Sequence, residues 1–238
     1  MRRALSLLLA VVALGACGGD DDKDIVIDPG DGGDYEPALD ANDVVDVIDN
    51  PYLPLIVGSR WVYEGDGERV EVEVLAERRM VMGIEAVVVR DTVREDGEIV
   101  EDTHDWYTQD REGNVWYLGE EVQNFADGKL EDTDGSWEAG VDGALPGIVM
   151  LAHPEVDDAY RQEYWEGEAE DLGEVLRVGV STKVRAGSYD DVVVTRDWNP
   201  LEPEVIEEKH YARGVGLIFE EHVRGEAGRI ELVEVDLG

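Results

Sequence analysis

The sequence predicts an all-β protein: an antiparallel sheet of about a dozen strands, built as a sandwich or a curved half-barrel, with little helix. Three observations carry this expectation. From about residue 42 onward, short runs alternate apolar and polar side chains, as in Val70-Glu71-Val72-Glu73-Val74, which sends one set to each face of a strand. Turn signals punctuate these runs at roughly every 8–12 residues. No stretch sustains the 3.6-residue period of an amphipathic helix.

Taken in order, Val70–Val74, Glu85–Arg94, Val175–Val184, Val192–Trp198, Glu204–Ala212, Leu217–Val223 and Ile230–Val235 all read as strands. Between them, Gly65-Asp66-Gly67, Asp96-Gly97, Asp110-Arg111-Glu112-Gly113, Asp127-Gly128 and Gly225-Glu226-Ala227-Gly228 mark hairpin reversals. Gly214 and Gly216 flank another reversal, where a positive φ is cheap only for glycine. Trp61 and Tyr63 share a face and are expected to anchor the first strand in the core. Residues 138–146, rich in glycine, read as an ordered loop. A loop of residues 110–113 would set Tyr107 opposite Trp116 and Trp106 opposite Tyr117, placing aromatics on both faces of the sheet. Both faces then need cover, by core packing or by a cavity lined with Trp106, Tyr117, Tyr160, Tyr164 or Trp165. The segment 137–147 is the loop expected first to carry a site, with closure of one end of the domain as the plainer role.

The chain is expected to divide into residues 1–16, a signal peptide; 17–40, an acidic, Gly/Asp-rich tether; and 41–238, a single antiparallel β-domain. The signal has a basic start at Arg2 and Arg3, an apolar stretch Ala4–Leu14, and small residues before Cys17. As a helix the stretch reaches roughly 16 Å, against about 30 Å of bilayer hydrocarbon, so it does not span. No later run is long and apolar enough to span either. Leu14-Gly15-Ala16-Cys17 resembles the lipobox of bacterial lipoproteins, and that resemblance implies diacylglycerol on the thiol of Cys17 and cleavage before it. The membrane is then a partner through a lipid anchor and the location extracytoplasmic, in the cell envelope. Cys17 is the only cysteine, so the mature domain holds no disulfide and no thiol nucleophile.

The full chain carries 58 acids against 20 bases; without residues 1–16 the bases fall to 18 and the net charge is −40. That excludes nucleic acid as a partner, since such binding neutralises phosphates with a basic surface. The plain reading is a solvated acidic surface, as in salt adaptation. The sharper reading is divalent-cation binding. The run Asp20-Asp21-Asp22-Lys23-Asp24, with Asp28 and Asp31, partly fits a calcium loop but has Ile25 where glycine must turn the chain and the short Asp31 where a bidentate glutamate belongs. Five glycines and two prolines in residues 18–40 fit an extended spacer instead.

No nucleophile elbow, zinc-protease motif, phosphate loop or Cys-x-x-Cys occurs. No catalytic residue, cofactor or metal ligand is assigned, and the protein is expected not to be an enzyme. Of the four histidines, His104 shares a strand face with Asp102 among other acids; His153 lies at a turn before Pro154; His210 and His222 read as surface imidazoles in charged strands. Paired carboxylates for hydrolysis carry no information among 58 acids.

The stretches Asn50-Pro51-Tyr52-Leu53-Pro54-Leu55, Gly58, Trp61-Val62-Tyr63-Glu64-Gly65, Gly113-Asn114-Val115-Trp116-Tyr117, Gly135-Ser136-Trp137-Glu138-Ala139-Gly140-Val141-Asp142-Gly143, Tyr160-Arg161-Gln162-Glu163-Tyr164 and Tyr211-Ala212-Arg213-Gly214-Val215-Gly216-Leu217 resemble a family of uncharacterised bacterial cell-envelope lipoproteins. The pattern departs at Val57, where proline is expected, and at Leu151 and Asp157. The resemblance implies fold and location but no activity. By fold-level analogy, lipid-anchored sheets also include carriers of acyl chains. The favoured reading is a non-enzymatic binding module for an apolar ligand or an envelope protein. Divalent-cation binding or salt adaptation is the alternative, with a hydrolase third.

Overall fold

A computed structural model describes residues 34–238. The expected signal peptide, the candidate lipidation site Cys17 and the acidic run from Asp20 to Asp31 lie outside the described residues. Sixteen strands and no helix are present among them. They are β1 (Val44–Val45), β2 (Arg60–Gly65), β3 (Glu68–Val81), β4 (Ile84–Glu95), β5 (Glu98–Asp110), β6 (Val115–Ala126), β7 (Lys129–Asp132) and β8 (Trp137–Glu138). The second half holds β9 (Leu145–Met150), β10 (Ala159–Arg161), β11 (Glu163–Tyr164), β12 (Leu172–Val184), β13 (Gly187–Trp198), β14 (Ile206–Ala212), β15 (Gly216–Arg224) and β16 (Arg229–Asp236). The strands expected from alternation fall in β3, β4 and β12 to β16, except that β14 begins at Ile206, two residues after the expected Glu204. The alternation in Val70–Val74 is realised with Val70 and Val74 buried, Glu71 half-buried and Glu73 exposed.

Thirteen strands follow one another in the order β10-β12-β13-β14-β15-β16-β2-β3-β4-β5-β6-β9-β11, all antiparallel, while β1 pairs with β5 and β7 and β8 pair with β6. The two ends of this path are two halves of one continuous segment: residues 159–161 pair with β12 and residues 163–164 pair with β9. The sheet therefore curls into a nearly closed barrel, which resolves the choice between sandwich and half-barrel. Full curling removes the exposed edges that an open sheet presents. At the closure the backbones touch, because a Cβ on Gly147 would lie 2.3 Å from the Gln162 carbonyl.

The turn chemistry follows the residues. Asp66-Gly67, Asp96-Gly97 and Asp127-Gly128 are two-residue loops with both φ positive (48° and 94°, 50° and 87°, 52° and 69°), the I′ geometry whose twist suits a hairpin. Met82-Gly83 takes the same form (51° and 81°) without an Asp or Asn signal in the sequence.

Two expectations are corrected. The β5–β6 loop runs through Asn114, since Gln109 pairs with Val115, so Tyr107 faces Tyr117 and Thr108 faces Trp116. Asp110 accounts for the longer loop: its carboxylate accepts from the Gly113 and Asn114 amides and from the Trp116 indole. The expected loop of residues 138–146 also gives way to β9 at Leu145, whose neighbour Pro146 pairs with Glu163. The last residues of the expected tether are docked: Tyr35 and Leu39 are half-buried, and the Tyr35 hydroxyl donates to the Pro146 carbonyl at 2.9 Å.

Asn50 explains the Asn-Pro-Tyr stretch. It is buried, donates to the Gly113 and Leu151 carbonyls at 2.8 and 3.1 Å, and accepts from the Tyr52 amide. The Gly214 amide donates to the Pro51 carbonyl. One short stretch thus ties together the loops after β5, β9 and β14.

Candidate functional site

The barrel interior joins the apolar core that its valine-rich strands suggest to a group of buried acids that they do not. Alternation sends Glu101, Thr103, Asp105 and Tyr107 of β5 to the inside, joined by Asp91 of β4 and Tyr117 and Glu120 of β6, around a cavity of about 130 Å³. Trp61, Tyr63, Val72, Val89, Tyr211 and Leu217 form the apolar wall of the same space. Trp61 and Tyr63 are fixed by donating to the Val215 and Leu217 carbonyls at 2.7 and 2.9 Å. Tyr107 and Tyr117 stack at 4.9 Å, and the Tyr117 hydroxyl donates to Asp105 at 2.7 Å.

Burial, reinforced by neighbouring carboxylates, raises the cost of ionising Asp91, Asp105 and Glu120. Burial, then Asp105 and Glu101, push Asp91 well above the ordinary carboxylate range. Burial carries Asp105 up to about 7 against the opposing hydrogen bond from Tyr117. Burial and the neighbouring Asp105 raise Glu120 as well. Asp91 is 6% exposed and its Oδ1 has no hydrogen-bond partner. Such an atom is costly in a protein interior.

A second polar group adjoins the cavity, built by cross-strand pairing. Asp197 of β13 pairs with Glu207 of β14, which pairs with His222 of β15; in the next inward rung Thr195 pairs with Lys209, which pairs with Glu220. Lys209 Nζ lies 3.2 Å from Asp197, 3.1 Å from Glu207 Oε2 and 3.8 Å from Glu220 Oε2. Burial opposes its charge, yet these three carboxylates outweigh burial and hold the ammonium above its usual range. Glu207 is likewise buried but held below the ordinary range by Lys209 and His222. Glu220 goes the other way, to about 8, through burial and the repulsion of Glu207. Gln162, from the closing segment, donates to Asp197 at 3.0 Å.

The residues singled out from sequence fare differently. Asp102 pairs with Arg90 at 2.7 and 2.5 Å on the opposite face from Asp105, and His104 sits across from Arg90 on that same outward side. The inward acids are the alternate set, Glu101, Asp105 and their neighbours. Of the aromatics considered as a lining, Tyr117 faces the cavity; Trp106 packs with Val81, Ile84, Val88 and Leu118 in a second core that Trp165 abuts, Tyr160 lies in the main core, and Tyr164 meets Tyr35 edge-on. The 137–147 segment covers that core and leaves Asp142 exposed. His153 is exposed. His210 is half-buried, 2.8 Å from the Thr182 hydroxyl and edge-on to Phe219, and burial lowers its pKa. His222 departs most from expectation: its ring points among buried carboxylates. The missed signal was the pair of i, i+2 patterns Glu207-x-Lys209 and Glu220-x-His222 in strands of otherwise apolar inward residues.

No family model matches the chain, and no curated protein matches it. Two solved structures are similar in fold. A protein described as exported, with a YmcC-like fold, from Bacteroides fragilis is 15% identical, with a TM-score of 0.43 over 78% of this chain and 98% of that one. A protein described as a lipoprotein, from Parabacteroides distasonis, is 13% identical, with a TM-score of 0.43 over 79% of this chain and 99% of that one.

Proposed function

We propose that the protein is an extracytoplasmic lipoprotein, anchored to a bacterial membrane through Cys17, whose barrel is a non-enzymatic binding module for a small organic cation with an apolar body. The signal segment and the resemblance to envelope lipoproteins support the location. The absence of a catalytic motif from the sequence supports a binding role.

The ligand class rests on one observation: Asp91, buried and lacking a partner for Oδ1, shares a cavity with Asp105, Glu120 and an aromatic and aliphatic wall. The cavity's about 130 Å³ falls short of the roughly 300–1,000 Å³ of pockets for drug-sized ligands. It compares with a cavity of about 150 Å³ that holds benzene. An acyl chain does not fit such a space, so the apolar-ligand reading narrows to a compact molecule. A substituted ammonium matches both halves: the charge neutralises the acids, and its alkyl groups pack on Tyr107, Tyr117 and Tyr211 as in other aromatic sites for such cations. Among the described residues the acids around the cavity do not converge as a set of metal ligands, which favours an organic cation over a bare ion there.

Thermal unfolding with choline, and separately with its neutral isostere 3,3-dimethyl-1-butanol, tests the reading. Choline is expected to raise the midpoint in a saturable way and the alcohol to leave it unchanged. Asp91→Asn should abolish the choline response while stabilising the empty barrel. An equal response to both compounds, or to neither, contradicts the proposal.

A further inference from the structure

We propose that Glu207, Glu220 and His222 form a binding site for a divalent transition-metal ion of the zinc class, separate from the cavity that Asp91 lines. Geometry supplies the first reason. One ligand atom from each residue can be chosen so that all three lie within 4.8 Å of one another, the one such group among the described residues. His222 Nε2 is 3.0 Å from Glu207 Oε1, close to the roughly 3.3 Å that separates neighbouring N and O ligands on a tetrahedral zinc.

The imidazole is oriented as a ligand. His222 Nδ1 lies 2.8 Å from the Glu226 carbonyl. A carbonyl only accepts, so Nδ1 carries a proton and the lone pair of a neutral ring sits on Nε2, facing the two carboxylates. Metal-ligating histidines are commonly held this way, by a backbone carbonyl on the far nitrogen.

Glu220 is the independent observation. It is 0% exposed, and neither carboxylate oxygen has a hydrogen-bond partner. Lys209 does not fill that role: its contact with Glu220 is 3.8 Å, and its shorter contacts go to Asp197 and Glu207. The lysine lies against Oε2 of both glutamates, which leaves Oε1 of Glu207 directed at His222. Charge gives the valence. A metal ion would displace the proton that burial favours on Glu220; Asp197, Glu207 and Glu220, once all ionised, would carry three negative charges against one on Lys209, and a divalent ion would cancel the remaining two. An imidazole with two carboxylates suits zinc, iron(II) or manganese better than calcium or magnesium, which take oxygen alone.

Zinc binding to the detergent-purified, lipidated protein, measured by titration calorimetry at physiological salt in excess magnesium, tests this. Magnesium occupies the exposed acids. One equivalent of zinc is expected to bind, with affinity weakened about tenfold or more by Glu220→Gln and by His222→Ala, a loss of the size that even outer-shell changes produce. Glu121→Gln, an exposed acid, should leave binding unchanged. Cobalt(II) added to the wild-type protein should give visible d–d bands that zinc abolishes, a readout that needs no variant to fold. Absence of saturable zinc heat together with absence of cobalt bands would overturn the proposal; so would zinc binding equally tight in Glu220→Gln. In that case protons on Glu220 and His222 neutralise the cluster.

Discussion

Tyr117 donates its hydroxyl to Asp105 across the β5–β6 ladder at 2.7 Å, and the same ring stacks on Tyr107 at 4.9 Å. One aromatic side chain thereby holds a buried carboxylate in place and walls the cavity beside it. Asp105 is carried up to about 7 because burial, with Glu101 beside it, outweighs the hydrogen bonds from Tyr117 and the backbone.

Tyr117→Phe removes the donor and keeps the ring. Loss of a hydrogen bond to a buried polar group costs about 1–3 kcal/mol, so urea unfolding should show a lower midpoint. Titration of Asp105, followed by carboxyl NMR, should move above its wild-type value. An unchanged midpoint and titration would mean that the hydrogen bond does not hold the carboxylate.

The empty barrel should lose stability as pH rises from mildly acidic to mildly alkaline. Asp105 is raised from its ordinary 3.8 to about 7, and Glu220 from 4.5 to about 8. Each binds its proton more tightly folded than unfolded, so folding takes up protons between those limits and stability falls across them. His222, raised through its contact with Glu207, adds to the same trend. Glu207 is lowered and acts in the opposite sense, its contribution being lost only at more acidic pH. Urea midpoints across this range should decline with pH, and Asp105→Asn should flatten the decline. A rising curve would contradict the protonation pattern of the interior.

Closure of the barrel depends on Gly147. A Cβ there would lie 2.3 Å from the Gln162 carbonyl carbon and oxygen and 2.6 Å from the Arg161 carbonyl oxygen, all backbone atoms. Gly147→Ala must therefore push β9 away from the 159–164 segment, at a cost of about 1–3 kcal/mol or more. Hydrogen exchange should quicken at Glu163 and Tyr164 before it does in β3 or β4. Unaltered exchange at those two residues would mean that the ends of the sheet are not held by this contact.

Cys17→Ser removes the thiol that the proposed anchor requires. Loss of that attachment would release a protein that carries a net charge of −40 without residues 1–16, a charge that anionic headgroups repel. Fractionation should move the protein from the membrane to the soluble phase, and intact mass should lose the lipid increment. Retention of the serine variant in the membrane would place the anchor elsewhere.

The strands were legible because their outward residues are charged and their inward ones largely β-branched, so the period of two stood out. Turns with Asp-Gly were legible for the same reason that they form. The interior was not, because Asp91, Glu101, Asp105, Glu120, Glu207 and Glu220 look like any other acids in a chain that holds 58. Choosing between Asp102 and Asp105 needs the phase of one strand, and a one-residue shift in a loop reverses that phase. The β5–β6 hairpin shows the effect: extending the loop to Asn114 changed the partner of Tyr107 from Trp116 to Tyr117. Curling of the sheet was also hidden, since the closing segment 159–164 contributes only five paired residues to strands too short to announce themselves.

Native mass spectrometry of the protein extracted from its own envelope tests the binding role most directly. The interior described here is expected to retain one small organic cation, no larger than a benzene-sized cavity admits, and to lose it in Asp91→Asn. A stoichiometric long-chain lipid in the barrel, or a compact neutral ligand that survives Asp91→Asn, would contradict it.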